Sequence, residues 1–140
     1  MKIAASRKIE MMLNRAGLKK TRQRIDILKI FVNAKRPLTA EQISFRLGQE
    51  APNKVTIYRT IESLADSGLV HRAYIHDRTR HYELGEHCTE LQCHPHFTCT
   101  KCGSTRCMPG STVEMVKGLV QGFVVHRQQV RLEGLCPKCA

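Results

Sequence analysis

Apolar positions in the first half of the chain recur at steps of three and four. Ile9, Met12, Leu13 and Ala16 form one such set, and Gly17 is a natural stop after it. Thr21 can cap a second helix with Ile25, Leu28, Phe31 and Val32 facing inward and Pro37 closing it from outside. Thr39 opens a third, with Gln42 placed to complete a capping box and Ile43 and Leu47 on the buried face. After Gly48 and the turn residues Pro52-Asn53, the spacing predicts a fourth helix from about Lys54 to Ser67. It would bury Ile57, Ile61 and Leu64 and end at Gly68.

The period then shortens. Leu69 to Ile75 and Arg80 to Leu84 flank the polar turn His76-Asp77-Arg78-Thr79, a β-hairpin pattern. Three helices followed by a hairpin make a winged helix-turn-helix. Residues 85–93 read as a hinge. Beyond it, His96 to Cys99 reads as a strand, followed by a knuckle and a strand to about Met108. Ser111 and Glu114 form another capping box, which predicts a short helix to about Leu119. Phe123 to Val125 and Gln129 to Glu133 alternate as strands do. The expected class is α+β, with a winged-helix DNA-binding domain over residues 1–84 and a small α/β domain over 94–140. The second region is too small for a large core, so it needs a metal, a partner subunit or both.

The 140 residues are 41% hydrophobic and 25% charged, a balance that excludes a disordered chain. No apolar run approaches the roughly 18 residues that cross a bilayer. The start turns charged at Arg7-Lys8, where a signal peptide needs its apolar core. A cytoplasmic protein with no membrane partner is expected. The net charge of +11 points to a polyanion. Residues 1–86 carry +8 of it and residues 87–140 only +3, so the first part is where the anion should bind. Sulfur is distributed the other way: all seven cysteines lie between Cys88 and Cys139, and four of the seven histidines lie between His87 and His126. In a reduced compartment that grouping suggests metal.

Cys99-x-x-Cys102 and Cys136-x-x-Cys139 carry the sharpest chemistry. Each turn sets two thiolates on one side of a tight loop, and two such knuckles close a tetrahedral shell around one zinc. With four thiolates there is no open position, so that ion is structural. Two redox CxxC pairs or an iron–sulfur cluster are the competing readings. His94 and His96, two apart on a strand, face one side and can bind a second ion. Cys88 and His87 lie within loop reach, and His71, His76 and His81 lie on the wing hairpin. On the fourth helix Lys54, Thr56, Tyr58 and Arg59 face outward, and the N-terminal part of a recognition helix is what enters the major groove of double-stranded DNA. The sequence has no Ser-His-Asp set, phosphate loop or paired acids, so an enzyme is not expected, and no small-molecule substrate beyond the metal ion. A thiol redox protein is the rival from another class, but it lacks a thioredoxin-like βαβ setting.

These motifs together resemble the ferric uptake regulator (Fur) superfamily. The matching segments are Leu18-Lys19-Lys20-Thr21-Arg22-Gln23-Arg24, Leu38-Thr39-Ala40-Glu41, Thr56-Ile57-Tyr58-Arg59-Thr60, Gly68-Leu69-Val70, and His94-Pro95-His96-Phe97-Thr98-Cys99-Thr100-Lys101-Cys102-Gly103. The resemblance implies a homodimer held by the C-terminal domain, a corepressor metal at the hinge, and palindromic DNA. Arg22 joins the recognition-helix residues as an expected DNA contact. Iron and peroxide sensors of the family place a histidine just before helix three, where this chain has Pro37. Cys88, His94 and His96 instead resemble the spacing of the zinc uptake regulator (Zur) subgroup, and His71 resembles the wing ligand of some members. The expected sensing site is therefore His71, Cys88, His94 and His96, with His76, His81, Glu83, His87 or Cys93 as substitutes. That makes one structural and one regulatory zinc per chain, controlling zinc uptake and homeostasis genes. Glu83 resembles the carboxylate used by iron-sensing relatives and keeps iron, manganese or peroxide response as the alternative. The family's third site looks degraded, with Cys93, Pro95 and Gln128 at its positions, although Glu114 matches one of its carboxylates. Cys107 and His126 match nothing in the pattern.

Overall fold

Helix α1 (Lys2–Arg15) buries Ile9 and Leu13, one turn apart, and ends at Gly17 with a φ of 71°. A positive φ is a conformation that glycine adopts without steric penalty. Residues 2–85, 94–108, 110–111 and 113–140 are described in this computed structural model. Helix α2 (Arg22–Asn33) starts where the Thr21 hydroxyl accepts the Arg24 N–H at 3.3 Å, and it buries Ile27, Leu28 and Phe31. Helix α3 (Ala40–Leu47) opens with the complete capping box: Gln42 N–H donates to Thr39 Oγ1 at 3.1 Å, and Thr39 N–H donates to Gln42 Oε1 at 2.9 Å. Helix α4 (Lys54–Asp66) is capped by Asn53, whose Oδ1 accepts the Thr56 N–H at 2.8 Å, and it buries Ile57, Ile61 and Leu64. Each cap satisfies an N–H that the first helical turn leaves without a partner.

Strands β1 (Val70–His76) and β2 (Thr79–Leu84) form the antiparallel wing. Asp77 and Arg78 turn the hairpin with φ values of 48° and 63°, the positive pair a two-residue turn demands. The pairing shifts between Arg72 and Tyr74, so that Ala73 and Tyr74, adjacent in sequence, are both buried. Leu38 adds a bridge that the hydrophobic pattern did not predict. It exchanges two backbone hydrogen bonds with Tyr82, at 2.7 and 2.8 Å, and so ties the start of α3 to the wing. One continuous core results, running from Ile9 and Leu13 through α2, α3 and α4 to Val70 and Tyr82. This is the expected winged helix-turn-helix.

The chain divides into two compact units, residues 1–34 with 38–86 and residues 35–37 with 87–140. The second unit is a three-stranded sheet in the order β4-β3-β5. Its central strand β3 (His96–Cys99) runs antiparallel to β4 (Thr105–Cys107) and parallel to β5 (Arg131–Gly134). The overall class is α+β. Among its described residues no Val, Leu, Ile, Met or Phe is buried, while Val120, Phe123 and Val124 are each more than 70% exposed.

Two expectations fail here. Residues 113–119 are not helical, and Phe123 to Val125 is not a strand. An amphipathic helix this short needs a surface on which to bury its face, and this unit supplies none among the described residues. The Gln128 side chain instead holds the segment open. Its Oε1 accepts the Val116 N–H at 2.8 Å, and its Nε2 donates to the Glu114 carbonyl at 3.0 Å, taking a donor and an acceptor that a helix would use.

Candidate metal centre and recognition helix

The first knuckle forms because β3 must reverse into β4 within five residues. Cys99 N–H donates to the Ser104 carbonyl at 2.8 Å, Gly103 N–H donates to the Cys99 carbonyl at 2.9 Å, and Gly103 sits at a φ of 73°. The second knuckle follows β5, where Cys139 N–H donates to the Cys136 carbonyl at 2.9 Å. Parallel pairing of β3 with β5 sets Cys99 opposite Gly134, two residues before Cys136, so the sheet brings the two knuckles together. All four sulfurs lie within 4.8 Å of one another. Cys102 Sγ and Cys136 Sγ are 3.8 Å apart. A tetrahedron with zinc–sulfur bonds near 2.3 Å has edges of about 3.8 Å. The donor set fits a structural zinc in both chemistry and spacing.

The thiols also conflict electrostatically. N–H groups of Cys102 and Cys136 directed at Cys99 hold its thiol down at about 6. The Ser104 hydroxyl lowers Cys102, whereas interaction with the Cys136 thiol, helped by desolvation, pushes Cys139 up to about 12. Four thiols in this space cannot all ionise without a cation among them. A divalent ion removes that conflict, because each thiolate then faces positive charge.

His94 and His96 lie as their two-residue spacing predicts. Their ring centroids are 4.8 Å apart and tilted by 56°, with His96 buried and His94 half-buried. The sequence reading missed their neighbour. Cys107 on β4 pairs directly with His96, and its sulfur and both imidazoles put donor atoms within 4.8 Å of one another. Counting back along both strands from the knuckle, with Thr98 opposite Thr105, would have found it.

The wing sorts its own candidates. His71 and Glu83 face each other across the base of the hairpin, with Glu83 buried. His76 and His81 lie toward the tip. His76 approaches Asp77 at 3.3 Å, while His81 stacks on Tyr74 with centroids 4.6 Å apart. Cys88, His87 and Cys93 lie outside the described residues, as does most of the expected hinge.

On α4, Lys54, Tyr58 and Arg59 are exposed on the side opposite Ile57, Ile61 and Leu64, and Thr56 is half-buried. Val55, which the sequence reading passed over, is 57% exposed beside them and offers apolar contact to a thymine methyl. Arg22 is exposed as well, but it is engaged with Glu50 at 2.8 Å and Asp26 at 3.6 Å.

Behind the exposed face, a polar cluster fixes α4 against the wing. Arg72 on β1 donates to Glu62, and to Asp66 at 2.9 Å, while the Tyr82 hydroxyl donates to Glu62 at 2.7 Å. Desolvation pushes the Glu62 carboxyl up, but the hydrogen bonds from Arg72 and Tyr82 outweigh it and leave the group below its ordinary value. Burial and the Glu62 carboxylate raise the Tyr82 phenol, and hydrogen bonds to Glu62 and Asp66 raise Arg72.

The ferric uptake regulator family model matches residues 15–133. The ferric uptake regulation protein of Synechococcus elongatus is 32% identical, over 97% of this chain and 94% of its own length. Two solved structures share the fold. One is the Helicobacter pylori ferric uptake regulator Fur, described as having three functional metal binding sites; it has a TM-score of 0.62 at 16% identity and covers 99% of this chain and 93% of its own. The other is a zinc uptake regulator complexed with zinc and DNA, with a TM-score of 0.64 at 19% identity, covering 98% and 93%. With the knuckles, the histidine pair and the winged helix in place, the chain belongs to the ferric uptake regulator family, whose members are metal-responsive transcriptional regulators and not enzymes.

Proposed function

We propose that this chain is a repressor with zinc as corepressor, binding palindromic operator DNA as a homodimer to control zinc uptake and homeostasis genes. The observation that carries the reading is the His94–His96 pair beside thiol sulfur, a soft donor set that suits zinc better than iron or manganese. Pro37, at the position where iron-sensing relatives carry a histidine ligand, supports the same choice. Cys99, Cys102, Cys136 and Cys139 hold the structural zinc, and His94 and His96 with His71 and Cys88 form the sensing site. Lys54, Thr56, Tyr58 and Arg59 read the major groove, with Arg22 on the phosphates.

Zinc at the sensing site favours the arrangement in which two recognition helices match successive major grooves, and its effect is limited by its differential affinity for that state. A two-fold dimer presents two equal helices, which is why the operator is palindromic. The test is a DNA shift assay on protein stripped of labile metal, titrated separately with zinc, iron(II) and manganese(II). Zinc is expected to restore binding at the lowest free concentration. Tight binding that ignores chelation of the labile ion would sink the reading.

The second reading is iron or manganese response. Glu83, a buried carboxylate on the wing, and the ferric uptake regulation protein of Synechococcus elongatus favour it. Restoration by iron(II) or manganese(II) at concentrations where zinc is inactive would establish it.

A further inference from the structure

Three donors share one corner of the second unit's sheet without belonging to the four-cysteine cluster: His94 just ahead of β3, His96 at its first position, and Cys107 at the last position of β4. We propose that Cys107 is a ligand of the sensing site and that its thiolate sets the preference of that site for a soft cation. The proposal rests on reading His94 and His96 as a metal pair.

Antiparallel pairing places His96 and Cys107 directly opposite each other, and directly opposed residues project to the same face of a sheet. Their donor atoms and that of His94 already lie within 4.8 Å of one another. Zinc bonds of 2.0–2.3 Å require donor separations of about 3.3–3.8 Å, so side-chain rotation alone closes the set. The backbone is fixed by the β3–β4 ladder and by two flanking bonds, Met108 N–H to the Pro95 carbonyl at 2.9 Å and His96 N–H to the Val130 carbonyl at 3.2 Å. Three ligands are therefore held by one rigid element before any metal arrives, which is how a selective site is built. The remaining positions are left to donors from other segments, Cys88 among them.

The choice of sulfur matters chemically. As the ion binds, the Cys107 thiol gives up its proton to solvent and the thiolate takes its place in the shell. A thiolate with two imidazoles selects zinc or a comparable borderline-soft ion, whereas a carboxylate at the same position would favour iron(II) or manganese(II). Residue 107 would thus decide metal identity while the histidines provide affinity for several metals.

The test uses the full chain with its four-cysteine zinc retained and its labile ion replaced by cobalt(II). The native protein should display a near-ultraviolet thiolate-to-cobalt charge-transfer band, which Cys107→Ser lowers by about one thiolate's share and Cys88→Ser does not abolish. Cys107→Ser should also weaken labile zinc by at least about tenfold, since even outer-shell changes cost 10–100-fold, while the tightly held zinc per chain stays constant. Cys107→Glu should restore binding with the zinc-over-manganese preference reduced. If His94→Ala removes the labile site but Cys107→Ser keeps both the full band and the zinc affinity, the proposal is wrong and the histidine pair stands. If His94→Ala and His96→Ala leave labile binding untouched, the underlying reading fails instead.

Discussion

The two units of this chain are stabilised by different physics. The first buries twelve residues in one continuous core, nearly all of them apolar, with three helices each opened by a capping side chain. In the second, the described residues bury Cys99, His96 and two prolines but no Val, Leu, Ile, Met or Phe, and large apolar groups such as Phe123 are left in solvent. The lesson is that a hydrophobic pattern specifies structure only where there is enough chain to close a core around it. Elsewhere the ligands of an ion must do that work.

Replacing one knuckle sulfur should break the contrast most sharply. Cys102→Ser is expected to forfeit structural-metal stabilisation on the order of 10 kcal/mol. Zinc analysis should find the tight ion lost, and amide exchange should find β3, β4 and β5 unprotected while α2 and α4 stay protected. Equal loss of protection in both units would contradict independent stabilisation. The converse perturbation is Leu64→Ala, which removes a fully buried side chain from the first core. It should cost about 2–5 kcal/mol in that unit's denaturant unfolding, with zinc content unchanged.

A smaller effect is expected at the seam between α4 and the wing. Glu62→Gln removes the charge that Arg72 and Tyr82 address, at an expected cost of about 1–3 kcal/mol. The sign with pH follows from the depressed carboxyl. Glu62 contributes its stability above its unfolded value of 4.5, and that contribution is lost as pH falls through the lower folded value. Acid titration of unfolding should therefore be steeper below pH 4.5 for the native chain than for the glutamine variant. Parallel curves would remove Glu62 from the account. Least affected should be Arg22→Ala, because its ion pairs with Glu50 and Asp26 lie on the surface. It is expected to change stability by less than about 1 kcal/mol. On DNA it should reduce the salt dependence by about one unit, against a loss of about 1–3 kcal/mol for Arg59→Ala.

Local signals in the sequence were read well because their causes are local. Thr39 and Gln42 make their capping box wherever a helix follows, Asn53 caps α4, and the His76–Thr79 turn closes the wing within the chain's own reach. The two CxxC pairs carry their chemistry in their spacing. What escaped depended on partners distant in sequence. The Leu38–Tyr82 bridge joins residues 44 apart in numbering, and Arg72 meets Glu62 only because the wing folds back on α4. Cys107 becomes a neighbour of His96 only through strand register, and Gln128 unseats the helix expected after Ser111 by reaching across 12 positions to Val116. None of these has a periodicity to reveal it.

Gly85 shows how little room the wing leaves at its exit. Its N–H donates to the Leu69 carbonyl at 2.9 Å, and a methyl group there would collide with the Gly68 carbonyl oxygen. Even an alanine would have to prise the end of β2 away from the start of β1. The close of the hairpin thus depends on the absence of a side chain, and a substitution touching neither metal nor operator would disturb the wing.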